Sequence, residues 1–375
     1  MSCMVTAPAA LDLSMFTRPS ARAWTCPPAP EDVASFHRGL PGYAPTPLVE
    51  LPSLAAELGV GRLFVKDESA RLGLPAFKIL GASWGVHRAL CEHYRLAPGA
   101  PLGRLRDVAG PPVRLVTATD GNHGRAVAAM ARILGLAADV FVPQGGVHPA
   151  AVAAIKEEGS GVTEVPAPYD EAVRVAADTA ASDPSAVLVQ DTAWPGYERV
   201  PQWIVDGYST LFTEIDEQLA SAGAAPAGLV AVPAGVGSLA QAAVTHYRSG
   251  RSAPTLLSVE PDAAPCVLTS LHQDRPVTVE TGTTSMAGLN CATPSSLAWP
   301  YLRSGVDAAV AVSDADAAQA AHDLISLGVP AGPCGAASLA GIRAALASRH
   351  RSALAPEHAD TIVLLSTEGT TANPA

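Results

Sequence analysis

Nothing in this 375-residue chain is concentrated where a metal, a nucleic acid or a membrane would need it. The six cysteines, Cys3, Cys26, Cys91, Cys266, Cys291 and Cys334, are scattered, with no CxxC and no cysteine–histidine cluster. No metal site is therefore expected. Basic residues are outnumbered, 24 Lys and Arg against 35 Asp and Glu, and the net charge of −11 lacks the surplus that a phosphate backbone demands of a partner. No apolar run approaches the about 18 residues of a membrane span. Residues 1–6 have neither the basic nor the apolar region of a signal peptide. A soluble cytoplasmic protein without nucleic-acid or membrane partners is the expectation. The full dinucleotide fingerprint and the Gly-Lys-Ser/Thr of a triphosphate loop are missing as well, and so is any internal repeat. What remains is an ordinary globular composition, 48% hydrophobic and 16% charged, at a length that points to about two domains.

From about residue 60 the chain alternates short β-branched runs with alanine-rich stretches. Strands are expected at 62–66, 113–119, 139–143, 186–190, 229–233, 255–260, 308–313 and 361–366. Helices are expected at 79–94, 124–134, 149–158, 171–181, 201–219, 239–247, 314–326 and 336–347. Gly135 and Gly159 stand where glycines end helices. The strands are near-continuous apolar runs, as in parallel sheets covered on both faces. The fold class is thus α/β. The Pro- and Gly-rich stretch 97–112 reads as a surface excursion, 221–228 as an interdomain connection, and the first 40 or so residues as a partly extended arm.

Four segments carry chemistry, each following a strand or opening a helix. In the apolar run 75–83, Lys78 is flanked by Phe77, Ile79 and Leu80. A desolvated lysine has a depressed pKa and can attack an aldehyde, as a pyridoxal phosphate (PLP) enzyme requires. The turn Asp120-Gly121-Asn122-His123-Gly124 can aim an amide and backbone N–H groups at a ligand. It also reads as an ordinary turn, with His123 more plausible as a structural residue. Gly235-Val236-Gly237-Ser238 exposes N–H groups at a helix start and suits one phosphate. Ser366, at the end of the last strand, can bond a pyridine nitrogen. A neutral partner makes the cofactor a mild electron sink, suited to α-proton removal and loss of a β-substituent.

Lysine, Gly-Asn, glycine loop and strand-end serine, in that order, resemble the tryptophan synthase β-like (fold type two) PLP enzymes, and among them the diaminopropionate ammonia-lyases. The resemblance spans about residues 36–371. It rests on Phe36-His37-Arg38, Pro41-Gly42-Tyr43-Ala44-Pro45-Thr46-Pro47-Leu48, Val65-Lys66-Asp67-Glu68-Ser69 and Phe77–Ser83. It continues in Thr119–Gly124, Gln190-Asp191-Thr192-Ala193-Trp194, Met286-Ala287-Gly288-Leu289-Asn290-Cys291 and Ser366-Thr367-Glu368-Gly369. It implies two domains, 1–85 with 221–375 and 86–220, each a mostly parallel sheet flanked by helices, with PLP in the cleft between them, and a homodimer. It further implies that Lys78 holds PLP as a Schiff base. Asn122 would bond its phenolic oxygen, Gly235, Val236, Gly237 and Ser238 its phosphate, and Ser366 its ring nitrogen. Asp120 and Asp191 would be the acid/base pair, and Ser83, Thr119, Asp120 and Asp191 would contact substrate. The implied reaction is β-elimination of ammonia from 2,3-diaminopropionate.

By themselves Asp120 and Asp191 read equally as a turn former and a strand-end cap. Where the family reads Gly-Glu-Ser-Gly-Ala, this chain has Gly332-Pro333-Cys334-Gly335-Ala336, and Thr370 replaces an expected Asp. A serine or threonine dehydratase or a β-substituting enzyme is the alternative, and a non-catalytic PLP carrier a further one. The resemblance also brings Cys266 and Cys291 together beside an active-site loop, as reduced thiols.

Overall fold

The structure is a computed structural model that describes residues 14–108, 113–250, 252–354 and 361–372. Its strands, in chain order, are β1 (Met15–Thr17), β2 (Leu48–Glu50), β3 (Arg62–Asp67), β4 (Arg114–Ala118), β5 (Ala137–Pro143), β6 (Gly161–Val165), β7 (Ala186–Leu188), β8 (Leu229–Pro233), β9 (Thr255–Pro261), β10 (Ala308–Val312) and β11 (Thr361–Ser366). They form a seven-stranded sheet, ordered β1-β10-β9-β8-β11-β3-β2, and a four-stranded sheet, β6-β5-β4-β7. Pairing is parallel throughout except for the edge strands β1 and β2, which run antiparallel to β10 and β3.

The central strands are apolar because both faces are covered. On β11, Ile362 and Leu364 face one hydrophobic cluster while Val363 and Leu365 face another, and every residue of the strand is buried. The unexpected strands β1, β2 and β6 are short and lie at sheet edges, where half-exposed residues carry no apolar run. The early segment is accordingly not a plain arm. It supplies β1 and the helix Asp32–Arg38, while residues 1–13, Cys3 among them, lie outside the described residues. The stretch 97–112 carries the short helix Leu102–Arg106, and its residues 109–112 also lie outside.

The expected single helix 201–219 is two, Arg199–Gly207 and Ser209–Ser221, meeting at Tyr208. Gly207 sits where a Cβ would come within 2.6 Å of the Leu80 carbonyl, so the first of these helices presses directly on the helix Lys78–His93. The second packs against Asp32–Arg38 and Ser238–Ser249, on the side of the larger sheet.

Behind that contact a buried ionic network ties the helices to β3. Glu214 Oε2 accepts from Lys66 Nζ at 2.6 Å and Arg71 Nη2 at 2.7 Å, and Oε1 accepts from Arg71 Nη1 at 2.6 Å and the Tyr43 hydroxyl at 2.7 Å. Burial pushes the Glu214 carboxyl up, but Arg71 and Lys66 outweigh it and hold the group at about 2. A folded pKa below the unfolded one means that this stabilisation is present above the ordinary carboxylate range and is lost as pH falls from near 4.5 toward 2. Glu214→Gln is expected to cost about 3–5 kcal/mol at pH 7, because it strands buried cations. In urea unfolding followed across pH, the variant's midpoint should stay flatter than the wild type's through that acid window. Equal stability at pH 7 would show that the network contributes nothing.

Candidate active site

The functional side chains converge because each follows the C-terminal end of a parallel strand, where such sheets open. Asp120 and Asp191 leave the neighbouring strands β4 and β7. The glycine loop follows β8, Ser366 ends β11, and Lys78 opens the helix reached from β3. One cleft is lined by Lys78, Asp120, Asn122, His123, Tyr169 and Asp191, together with Tyr208, residues 233–239, Gly288, Leu289, Cys291 and Thr367.

Lys78 Nζ donates to Asp191 Oδ2 at 2.9 Å. This corrects the expected depressed lysine. Burial does push the ammonium down, but Asp191 and Tyr208, with Asp120 beyond them, raise it well above the ordinary range. Burial likewise pushes the Asp191 carboxyl up, yet the fields of His123 and Lys78 hold it at about 2. Asp120, on the exposed side of the cleft, is pushed up by loss of surrounding solvent and by Asp191, against the pull of Lys78. Two carboxylates beside one amine thus have pKa values driven apart, the pattern by which an acid and a base are told apart.

His123 Nε2 donates to the Val189 carbonyl at 2.9 Å, which leaves Nδ1 facing Asp191 Oδ2 at 3.7 Å. Gln190 donates to the Tyr169 hydroxyl at 3.0 Å and accepts from the N–H of Ala118, locking the Asp191 segment to β4. The turn after β4 is held by Thr119, whose Oγ1 accepts from the N–H groups of Gly121 and Gly124 at 2.9 and 3.0 Å. Thr119 is therefore a buried staple and does not line the cleft. Ser83 is also displaced from its expected role. It is fully buried, its hydroxyl donates to the Leu80 carbonyl at 3.1 Å, and it lies against His37, turned away from the cleft.

At the glycine loop, Gly237 has φ +95° and ends the turn just before the helix Ser238–Ser249, which no side chain caps. Among the described residues, no backbone carbonyl accepts from the N–H groups of Gly235, Gly237 or Ser238. Free donors at the positive end of a helix are a seat for a phosphate. A Cβ at Gly235 would stand 2.9 Å from Cys291 Sγ, and Cys266 Sγ lies 3.6 Å from the Gly235 carbonyl. The two cysteines flank that glycine as free thiols.

Ser366 is buried behind Thr367, and its Oγ has no hydrogen-bond partner among the described residues. Gly335 leaves room beside it, since a Cβ there would approach that oxygen to 2.8 Å. An amine at the helix start, a cradle of N–H groups and an orphaned hydroxyl together fit a phosphorylated pyridine aldehyde.

Tyr208 and Tyr169 had no local signal of a role, and Glu368 entered only as part of the Ser366–Gly369 motif. The tyrosines lie in or beside helices and read as core, and their place at the cleft depends on packing. Tyr208 packs against Phe77 with ring centroids 4.8 Å apart and ring planes tilted by 54°, and it fits only because position 81 is glycine, where a Cβ would stand 2.5 Å from the ring.

Residues 40–368 match the family described as pyridoxal-phosphate dependent enzyme. The chain is 39% identical over 303 residues to the diaminopropionate ammonia-lyase of Salmonella typhimurium, spanning 77% of this chain and 73% of that relative. Diaminopropionate ammonia lyase from Escherichia coli, solved in complex with D-serine, is similar with a TM-score of 0.84 at 33% identity, over 95% of this chain and 94% of that one. A threonine deaminase of T.th. is similar at a TM-score of 0.72 and 25% identity, over 91% and 98% of the two chains. The chain belongs to the pyridoxal-phosphate dependent enzymes, in the group of the diaminopropionate ammonia-lyases.

Proposed function

We propose that this protein eliminates ammonia from either enantiomer of 2,3-diaminopropionate, yielding pyruvate and a second ammonia, as a PLP-dependent carbon–nitrogen lyase. The observation that carries this reading is the pair of carboxylates, Asp120 and Asp191, that line one cleft with Lys78, Asp191 Oδ2 lying 2.9 Å from its Nζ. PLP, when bound, supplies an electron sink that makes the α-hydrogen of an amino acid acidic. In this reading Lys78 carries the cofactor, Gly235, Val236, Gly237 and Ser238 take its phosphate, Ser366 its ring nitrogen and Asn122 its phenolic oxygen.

The aspartates do what the substrate needs. A β-ammonium group needs a counter-charge to bind and leaves as neutral ammonia with the C–N electron pair, whereas a neutral β-amine first needs a proton donor. Asp191, held ionised, suits the role of base and counter-ion. Asp120, with its raised pKa, suits that of a group that gives and takes a proton. Tyr169, Tyr208 and Leu289 line the same cleft as both.

The same reading includes the two-domain division at 85/86 and 220/221, supported by the separate four-stranded sheet, and a cytoplasmic homodimer. No helix among the described residues is long and apolar enough to cross a membrane.

The test is a panel of D- and L-diaminopropionate, D- and L-serine and L-threonine, assayed for ammonia and 2-oxo acid. Diaminopropionate should be the preferred substrate, with two ammonia released per pyruvate, whereas serine would give one. Turnover of serine or threonine with none of diaminopropionate would make the chain a dehydratase.

A further inference from the structure

Glu368 is buried at 2% exposure. Oε2 accepts from Asn122 Nδ2 at 2.8 Å, and Oε1 accepts from the N–H of Cys334, at the start of the helix Pro333–Ala347, at 3.3 Å. The backbone around it is clamped on both sides. Phe77 N–H donates to the Thr367 carbonyl at 3.2 Å and Gly369 N–H to the Pro75 carbonyl at 2.9 Å, so the segment is bound to the one that carries Lys78. On the other side Gly332 N–H donates to the Glu368 carbonyl at 2.9 Å. Two glycines make this fit possible. A Cβ at Gly332 would stand 3.3 Å from Glu368 Oε1, and one at Gly335 would stand 2.8 Å from the Glu368 carbonyl oxygen.

Asn122 lies 246 residues away in sequence, at the start of the helix that follows β4 of the smaller sheet, while Glu368 follows β11, an interior strand of the larger one. Their bond crosses between the two sheets at the edge of the cleft. An amide nitrogen has two hydrogens. With one fixed on the carboxylate, the planar group cannot rotate, and its second hydrogen is committed to another direction on the side that Asn122 presents to the cleft. The helix start at Cys334 offsets part of the cost of burying the negative charge.

We propose that Glu368 is a positioning residue that acts through Asn122, orienting its amide so that the free hydrogen serves the cofactor and joining the two halves of the site in the loaded state. This rests on PLP being the cofactor, as argued above. A carboxylate is needed because both oxygens accept from N–H donors. A glutamine would turn its own NH2 toward either Asn122 or Cys334.

The test is a double-mutant cycle on PLP affinity, titrating cofactor-stripped protein and following fluorescence quenching and the visible absorbance. Glu368→Gln should weaken PLP binding about tenfold or more and shift the absorbance maximum, as loss of a charged hydrogen bond does. Asn122→Ala should weaken it comparably, and the double variant should be no worse than Asn122→Ala within about twofold, since the residues act in series. Additive losses would make Glu368 a structural cap and end the proposal, as would wild-type affinity and absorbance in Glu368→Gln. Should Glu368→Gln not fold, Glu368→Asp, which keeps the charge but is too short to reach both partners, runs the same cycle with the same criteria. A wild-type protein that binds no PLP would overturn the cofactor reading itself, a result distinct from a wild type that binds PLP with no coupling between the two positions.

Discussion

Lys78→Ala should purify without the yellow absorbance of a bound PLP and should release ammonia from diaminopropionate at least about a thousandfold more slowly than wild type, the scale of losing a covalent and acid/base group together. The chain has only three lysines, Lys66, Lys78 and Lys156. Lys66 is committed to Glu214 and the Thr46 carbonyl, and Lys156 lies on the helix Pro149–Glu157, so neither lines the cleft. No other amine can substitute. Lys78→Arg separates chemistry from charge. It preserves a cation for Asp191 but cannot hold an aldehyde, so it should be as inactive as the alanine variant. Lys78 keeps 28% of its side chain exposed, so neither change should unfold the protein. Wild-type turnover in Lys78→Ala would end the PLP reading, whatever the resemblance.

Asp120→Asn and Asp191→Asn should each keep bound PLP yet lower kcat by about 10²–10⁴, the range for a general acid or base. The two losses should fall on different enantiomers. D and L amino acids seated through the same amine and carboxylate present their α-hydrogens to opposite sides, and one base cannot reach both. From the family resemblance, Asp120→Asn should impair the D form more and Asp191→Asn the L form. Asparagine keeps the shape and removes basicity, so the change belongs in kcat more than in KM. The electrostatics add an asymmetry. Asp191 is the direct partner of Lys78, and replacing it removes the attraction that most raises the lysine. Asp191→Asn should therefore also change the pH dependence of PLP uptake, whereas Asp120→Asn should leave it closer to wild type. Equal loss of both enantiomers in both variants would mean that the aspartates work as one relay.

Most of the parallel strands could be read directly because burial on both faces demands apolar runs, and no other common element of that length does. β8 and β11 fall on the expected residues. The edge strands β1, β2 and β6 were not legible, because a half-solvated strand such as Gly161–Val165 carries no such demand, although the edge strand β7 fell within the expected 186–190. The motifs around Lys78, Asp120, Asn122, the glycine loop and Ser366 were legible for a different reason. Each is short, local and placed at a strand end or helix start, where backbone donors are free. Ser83 and Thr119 misled for the same reason, since a hydroxyl next to a motif says nothing about whether it faces the ligand or its own turn.

The sequence by itself thus determined the fold class, the order of the chemical segments and the kind of cofactor they suit, all of which follow from local burial and turn chemistry. The charge state of Lys78 was decided only by the tertiary structure. Lys66 is followed by Asp67 and Glu68 and meets Glu214 inside the protein, while Lys78, among apolar neighbours, meets Asp191 at a cleft. The raised ammonium of Lys78, the contrast between Asp120 and Asp191, the entry of Tyr208 and the bond from Glu368 to Asn122 share one cause. Electrostatic fields and hydrogen bonds act through space, and the groups that set them here are separated by more than a hundred residues of chain at Lys78–Asp191 and Tyr208, and by 246 at Glu368–Asn122.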